Sequence, residues 1–279
     1  MGIRITVLCE NLAGGLVGVG EHGFSAFIET GEGKYLFDTG GGRTVVENSL
    51  ALRKDLRTVQ KVFLSHGHND HTGGLPHVLS IRGAVDVHVH PDVFVDRMAL
   101  RKDKDGEIRR FAGMIYKKSY LEFLGAHFIL NSEFTEVRKG IFLTGTVPRT
   151  TDFERPDPSL FRETGGERVQ DTLPDDQSLV LDTEKGLILI FGCAHSGMIN
   201  IMNYVMQQMN KDQFYAVLGG THLGFLSPEQ LEESIRSLKK MNVYRLGLSH
   251  CTGLRAAFRL QQEFGDRCFY GWVGSVLEI

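Results

Sequence analysis

The chain has 279 residues, a formal charge of -3 from 31 basic and 34 acidic side chains, and 42% hydrophobic residues. This apolar content is enough to bury a sizeable core, which excludes an intrinsically disordered chain. The charge is nearly balanced and forms no basic patch of the kind that binds nucleic acid or an acidic membrane. We therefore expect neither nucleic acid nor a membrane as a partner.

Two further features of the sequence bear on the cellular compartment of the protein. The first residues lack the charged head and continuous apolar run of a secretory signal, and no segment is apolar enough to span a bilayer. Cysteines occur at positions 9, 193, 251 and 268 without a CxxC pair, which argues against a structural zinc finger and offers no evidence for disulfides. We expect a protein of the reducing cytoplasm.

The first third of the chain predicts strands at residues 3–8, 24–29 and 34–37, separated by glycine-containing turns. A helix at about 43–53 and a strand at 61–64 follow. Strands and helices go on alternating in the C-terminal half, where two segments show apolar residues on one helical face. The second of these helices has Ser227 as its N-cap, Pro228 in its first turn and Gln230 three residues after the cap. This alternation predicts an α/β fold.

The segment from about 91 to 174 has a different character, because it is charged, weakly periodic and rich in proline and acidic residues near its end. We interpret it as an insertion laid over the edge of a single domain that spans residues 1–279. It is predicted to contain a helix at about 91–100. Its loop at 146–157 is either a lid or substrate wall, or a plain surface insertion.

The densest chemical signal is the string at positions 65–75, SHGHNDHTGGL, directly after an apolar strand. It places four candidate metal ligands, His66, His68, Asp70 and His71, within six positions. Imidazole nitrogen and carboxylate oxygen suit zinc, iron and manganese, and a turn at a strand end lets several side chains converge on one point. The string therefore predicts a metal site.

Histidines also follow other apolar runs. His195, His222 and His250 each come shortly after one, as His66 does. Sites in α/β folds gather at the carboxyl ends of strands, so the four together predict a polynuclear metal site. The other histidines, at positions 22, 77, 88, 90 and 127, are interpreted as structural or exposed. The favoured role of Cys193 and Cys251 is that of small buried apolar residues.

The string at 66–71 resembles the HxHxDH signature of the metallo-β-lactamase superfamily. The segment YLFDTG at 35–40, which contains Asp38, resembles a second landmark of that family, a strand ending in an aspartate beside the metals. The resemblance implies a four-layer αββα sandwich with two divalent metal ions. It assigns His66 and His68 to the first metal and Asp70 and His71 to the second. Zinc is favoured, with manganese and iron as alternatives.

Later segments, at 144–149, 192–200, 219–223 and 249–253, resemble the dihydropteroate-synthase-like branch of the superfamily. That branch includes a synthase that joins a dihydropterin to a ribofuranosylaminobenzene phosphate. The sequence departs from the superfamily pattern after the strand at 187–191, where Gly-Cys-Ala-His replaces the usual bridging aspartate. We expect His195 and His250 to complete the metal shell, with Cys193 as the competing ligand.

These features predict a hydrolase that uses a hydroxide held by two metals to attack a phosphoester or another ester. Asp70 would bind the second metal and orient the nucleophile, and Asp38 would fix a ligand imidazole through its second ring nitrogen. His222 is expected to contact substrate, and Arg149 is a candidate phosphate clamp. The substrate is a small molecule, with phosphorylated compounds among the candidates.

Other functions stay open. One is a transferase that condenses a dihydropterin pyrophosphate with an arylamine, and another is a binding protein that retains metal without turnover. A homo-oligomer is also compatible with the sequence.

Overall fold

Short strands and helices alternate along the computed structural model, which describes residues 2–104 and 106–279. In this part of the chain the strands are β1 (Arg4–Cys9), β2 (Ser25–Glu29), β3 (Lys34–Phe37), β4 (Lys61–Phe63), β5 (Val85–Val89), β6 (Met98–Asp103), β7 (Gly106–Phe111), β8 (Ala126–Leu130), β9 (Thr135–Arg138), β10 (Ile141–Leu143), β11 (Leu160–Thr164), β12 (Glu167–Gln170), β13 (Leu179–Thr183), β14 (Gly186–Phe191), β15 (Gln213–Gly220), β16 (Asn242–Ser249), β17 (Cys268–Tyr270) and β18 (Val276–Glu278). The helices are α1 (Thr44–Ala51), α2 (Asn69–Thr72), α3 (Leu75–Arg82), α4 (Lys118–Phe123), α5 (Met198–Met209), α6 (Pro228–Leu238) and α7 (Gly253–Phe264).

The described strands form two large sheets and one smaller sheet. The first large sheet has the order β18-β1-β2-β3-β4-β5-β8, and the second has the order β17-β16-β15-β14-β13-β10-β9. Strands β3, β4, β5 and β8 run parallel in the first sheet, as do β14, β15, β16 and β17 in the second. Parallel strands place their carboxyl ends at one edge, which is where sites form in such sheets.

The side chains of each large sheet alternate between two apolar layers, because successive residues of a strand point to opposite faces. On β3, Tyr35 and Phe37 pack between the two sheets, whereas Leu36 packs outward in the layer formed with α1, α3 and α4. On β14, Ile188 faces the other sheet and Leu189 faces α5, α6 and α7. The order of layers is therefore helix, sheet, sheet, helix, and the predicted α/β sandwich is confirmed.

The segment at 91–174 contributes to all three sheets. Strands β6, β7, β11 and β12 form the four-stranded sheet, but β8 joins the first large sheet and β9 and β10 join the second. The helix predicted at 91–100 is wrong. Only Pro91–Phe94 form a short 3-10 helix, and β6 follows because Met98 pairs with Phe111 across the hairpin of β6 and β7. The single-domain division with an insertion stays a prediction.

Other predicted elements agree closely with the structure. The strand predicted at 34–37 is β3, and the helix predicted at about 43–53 contains α1. The N-cap of α6 is confirmed, since Ser227 Oγ accepts a hydrogen bond from the Gln230 amide at 3.3 Å. The helices among the described residues are all too short or too polar to cross a membrane.

Candidate metal centre

The loop that follows β4 carries the first three histidines into the space at the carboxyl edges of the two sheets. His66 and His71 are fully buried, and His68 is 7% exposed. The Nε2 atom of His66 lies 3.0 Å from Nδ1 of His68, and the rings of His66 and His71 are 4.2 Å apart. A buried cluster of imidazoles this close is the arrangement that a metal ion, rather than solvent, stabilises.

His195 joins this cluster from the loop after β14. Donor atoms of His66, His68 and His195 all lie within 4.8 Å of one another. Burial lowers the pKa of His68 to about 3 and that of His195 well below its usual value, so both are neutral and able to ligate. Nε2 of His68 and Nε2 of His195 are buried without a hydrogen-bond partner among the described residues. Unpartnered buried nitrogens are costly unless a ligand binds them, so this set fits a metal ion.

A second group of donors adjoins the first. Asp70 Oδ2 lies 3.3 Å from His250 Nε2 and 3.9 Å from His71 Nε2, and the two imidazole Nε2 atoms are 3.3 Å apart. Burial opposes ionisation of Asp70, but the charge of His71 and hydrogen bonds from His22 and His250 hold its pKa well below the usual value. One carboxylate and two imidazoles form a second set with the chemistry of a zinc, iron or manganese site.

His22 also belongs to this second group, which the sequence interpretation missed. Its Nε2 lies 3.2 Å from Asp70 Oδ2, and its ring lies 4.8 Å from that of His250. The side chain is 55% exposed, so it stands at the open rim of the centre. His22 lies in a turn before β2 instead of after an apolar run, and a search for histidines at strand ends therefore passes over it.

The carboxylate of Asp38 lies behind the histidines. Oδ2 is 2.7 Å from His71 Nδ1 and accepts a hydrogen bond from Ser65 Oγ at 2.7 Å, while Oδ1 accepts from the Ser65 amide at 2.7 Å. Ser65 Oγ in turn lies 2.8 Å from His66 Nδ1. Burial opposes protonation of His71, but the charges of Asp38 and Asp70 raise its pKa to about 9. Asp38 therefore orients His71 so that Nε2 points toward Asp70 and His250.

A buried ion pair supports the same loop from the other side. The guanidinium of Arg97, which is 1% exposed, donates to Asp171 Oδ2 at 2.8 Å and to Asp175 Oδ1 at 2.6 Å. The other oxygen of Asp175 accepts from the Gly67 amide at 2.8 Å, between His66 and His68 in the chain. Burial raises the pKa of Asp175 to about 7. The segment at 91–174, called the covering segment below, is thus connected to the backbone of the metal-binding loop.

Two cysteines lie inside the centre. Cys193 Sγ is 3.1 Å from His71 Nε2, and Cys251 Sγ accepts a hydrogen bond from the His222 amide at 3.2 Å. Burial raises the pKa of the Cys193 thiol. Burial also opposes ionisation of Cys251, but hydrogen bonds from Cys193 and His222 hold its pKa well below the usual value.

His222 and Arg149 stand on the side of the centre nearest the loop at 146–157. His222 Nε2 lies 2.8 Å from Asp157 Oδ2, and its ring is 4.3 Å from that of His195. Burial opposes protonation of His222, but hydrogen bonds with Asp157 and Cys251 raise its pKa to about 9. Arg149 Nη2 donates to the carbonyl oxygens of His195 at 2.6 Å and of Thr172 at 3.1 Å. Arg149 is thus anchored to the loop that carries His195.

Four residues of the centre have left-handed backbone conformations. Asp38, Ala194, His222 and His250 have φ angles of 55, 54, 57 and 51°. This region is unfavourable for residues with a Cβ and costs on the order of 1–3 kcal/mol each. Such strain is concentrated where the backbone must turn sharply to aim a side chain.

The family model that matches the chain is described as "Metallo-beta-lactamase superfamily" and covers residues 18–199. The chain belongs to this superfamily. It is 30% identical over 276 residues to a 7,8-dihydropterin-6-methyl-4-(beta-D-ribofuranosyl)-aminobenzene-5'-phosphate synthase of Methanocaldococcus jannaschii, with 95% of this chain and 92% of the relative covered. It is 34% identical to an uncharacterized protein of the same organism, with 93% and 94% covered.

The chain is also similar to a solved structure, that of Tm1679, described as a metal-dependent hydrolase of the beta-lactamase superfamily. The two superpose with a TM-score of 0.83, at 29% sequence identity and with 99% of each chain covered. The resemblance seen in the sequence is thus confirmed, and the chain is an enzyme of the metallo-beta-lactamase fold. Its clustered histidines and cysteines could hold metal ions, as is usual in this superfamily.

Proposed function

We propose that this superfamily member is a metal-dependent hydrolase with two divalent metal ions, preferably zinc, with manganese and iron as alternatives. The observation that supports it is the pair of adjoining donor sets, since two complete sets in one buried space exceed what a single tetrahedral ion needs. His66, His68 and His195 would hold the first ion. The second ion would be held by Asp70, His250 and His71, and its binding would displace the proton from His71 Nε2.

When bound, the two metals supply Lewis acidity, which activates water and stabilises negative charge on the attacked centre. The protein residues would do the rest of the work. Asp70 would orient the nucleophile while binding the second metal, and Asp38 would hold His71 in position through Nδ1. His222, fixed by Asp157, would contact the substrate and donate a proton to the leaving group.

The proposed substrate is a small-molecule phosphoester or another ester. Arg149 would serve as the phosphate clamp, because Nη2 anchors it to the His195 loop while Nη1 is buried without a hydrogen-bond partner among the described residues. Guanidinium groups bind phosphate oxygens strongly, and an anchored one loses little side-chain entropy on binding.

The test combines metal analysis of the untreated protein with a panel of phosphoesters and other esters. We expect about two metal equivalents per chain. His68→Ala should lower the metal content and abolish turnover, because it removes a ligand of the first ion. His127→Ala, at an exposed position on β8, is the matched control and should change neither. A His68→Ala protein that keeps its metal and its activity would contradict the proposal.

A second candidate function is favoured by the similarity to the M. jannaschii synthase over 95% of this chain. In this case the arylamine nitrogen would attack the pterin-bearing carbon, the bond from that carbon to pyrophosphate would break, and the amine would lose a proton. Ions held by the two donor sets would supply positive charge to stabilise the departing pyrophosphate. Release of pyrophosphate that depends on the arylamine identifies the transferase, whereas release of product from an ester without the arylamine identifies the hydrolase.

A further inference from the structure

We infer that the Cys193 thiolate is itself a ligand of the proposed metal centre, lying between the two donor sets. The inference rests on the proposed presence of metal ions. The Cys193 sulfur lies within 4.8 Å of donor atoms of His66 and His71, and it belongs to a second such group with His195 and His222. Cys193 Sγ thus reaches both donor sets, and it does so from the position after β14 where the superfamily resemblance predicts a bridging aspartate.

Two glycines, Gly192 and Gly220, let the ends of β14 and β15 lie close to the centre and to each other. A Cβ atom at Gly192 would lie 2.0 Å from Ser65 Oγ and 3.0 Å from Asp38 Oδ2, so only glycine lets β14 end against the support of His71. A Cβ atom at Gly220 would lie 2.4 Å from the Gly192 carbonyl oxygen and 2.6 Å from Cys251 Sγ. The end of β15 therefore also has to be free of a side chain for Cys251 and the end of β14 to fit beside it.

Cys251 has a different place in the cluster. Its sulfur groups with Cys193 and His250 but with no imidazole of the first donor set among the described residues. It already accepts a hydrogen bond from the His222 amide and lies 3.7 Å from the Cys193 carbonyl oxygen. Cys251 therefore acts as a positioning residue that supports the Cys193 and His222 turns, and Cys193 is the ligand.

A thiolate in this position changes which metal the centre selects. Carboxylate oxygen suits hard ions such as manganese, whereas thiolate sulfur favours softer ions such as zinc. Binding also releases the thiol proton, because sulfur ligates in its deprotonated form. Replacing an aspartate bridge with Cys193 would bias the centre toward zinc and cobalt over manganese.

The test is cobalt substitution of the full-length protein followed by absorption spectroscopy, because a thiolate bound to cobalt(II) gives an intense sulfur-to-metal charge-transfer band in the near ultraviolet. Wild-type protein should show the band, and Cys193→Ser should lose it. Cys251→Ser and the distant Cys268→Ser should keep it. X-ray absorption of the zinc form should show a Zn–S distance of about 2.3 Å that Cys193→Ser removes.

Cys193→Asp is a second variant in case serine at this position disturbs folding. It restores an ionic ligand, so it should bind metal without the charge-transfer band and raise the preference for manganese over zinc. A cobalt form of the wild type that has full metal content but no sulfur band overturns the inference. A band that survives in Cys193→Ser but is lost in Cys251→Ser overturns it as well.

These outcomes are independent of the proposed reaction. A protein with two metals and only nitrogen and oxygen ligands would keep the hydrolase proposal and refute the thiolate ligand. A protein with a Cys193-dependent band and no hydrolysis across the ester panel would support the thiolate ligand and refute the hydrolase.

Discussion

The carboxylate of Asp38 connects the two ends of the metal-binding loop. It receives hydrogen bonds from Ser65 at the beginning of the loop and contacts His71 at the end, with distances of 2.7 Å. Through Ser65 Oγ it is also one step from His66 Nδ1. Outer partners of this kind fix which ring nitrogen faces the metal and keep the imidazole orientation.

We predict that Asp38→Asn spares much of the bound metal but lowers turnover by about 10–100-fold, because the amide cannot accept all of these hydrogen bonds. Asparagine is the suitable change, since it tolerates the left-handed φ of 55° at this position. Metal analysis and steady-state kinetics measure the effect. Asp266→Asn, at an exposed position, should leave both unchanged, and an Asp38→Asn enzyme with wild-type values would contradict the assigned role.

His22 should affect the second donor set more than the first. Its Nε2 contacts Asp70 Oδ2, whereas His66, His68 and His195 hold their arrangement without it. We expect His22→Ala to weaken binding of one metal equivalent and to reduce kcat/KM, while the other equivalent stays tightly bound. Competition with a chelator measures the two affinities, and His77→Ala is the control. Loss of both equivalents together would show that His22 is instead structural for the whole centre.

At the scale of elements, the N-terminus of α5 is held by a side chain from the covering segment. Glu154 accepts hydrogen bonds from the backbone amides of Ile199 at 2.8 Å and Asn200 at 2.7 Å. These amides have no partner within the helix itself, and a carboxylate there is also favoured by the helix dipole. Because α5 begins three residues after His195, this contact also steadies the loop that carries a proposed ligand.

The pH dependence of folding tests the burial of this carboxyl group. Burial raises the pKa of Glu154 from 4.5 to about 6, although the hydrogen bonds from the Ile199 and Asn200 amides act in the opposite direction, so the folded state binds the proton more tightly than the unfolded state. The stability that the buried protonated form contributes is present in full below pH 4.5 and is lost as pH rises through about 6. Glu154→Gln should remove this contribution to the pH dependence of the free energy of unfolding. The difference in free energy of unfolding between wild type and variant should therefore change between these two pH values. A difference that is constant with pH would contradict the assignment.

The elements that could be predicted from sequence are those with clear local signals. Strand β3 lies between glycine-containing turns, and α6 has Ser227 and Pro228 at its start, so propensity and tertiary structure agree. The segment after Pro91 has a helical start signal as well. In that segment, pairing of β6 with β7 and β11 makes the chain extended instead of helical, and no local sequence pattern predicts that pairing.

The same contrast holds for the centre. The string at 66–71 and the histidines after β14 and β16 are visible because the strand-end rule applies to them. Asp157, Asp175 and Glu154 reach the centre through contacts more than 40 residues apart in the chain, in a segment of weak periodicity. Such contacts depend on the folded topology, so the sequence offered no signal for them. The roles assigned to the site residues stay predictions.

At the scale of the whole molecule, the proposed centre joins the two halves of the chain. His66, His68, Asp70 and His71 follow a strand of the first large sheet, and His195 and His250 follow strands of the second. Each proposed ion would therefore take ligands from both sheets. A ligand that binds the folded state alone stabilises it in proportion to the logarithm of its concentration over Kd.

Removing the metals should accordingly lower the thermal stability of the entire domain. At a metal concentration 100 times Kd the stabilisation is about 2.7 kcal/mol, and chelation removes it. We expect a chelator to lower Tm and added zinc to restore it, as followed by circular dichroism. His68→Ala should respond less to both treatments. A Tm that is indifferent to chelation in the wild-type protein would mean that the two sheets are not bridged by metal.

The left-handed backbone at Asp38, Ala194, His222 and His250 has a consequence for how this enzyme could evolve. At each of these positions, substitution by glycine would relieve the backbone strain, and Ala194 loses least by it because its side chain is only a methyl group. Relaxation at the other three positions removes the side chain that the turn exists to aim. Selection for thermal stability alone would therefore favour replacing these residues. Selection for turnover would retain them, so stability and activity oppose each other at these four positions.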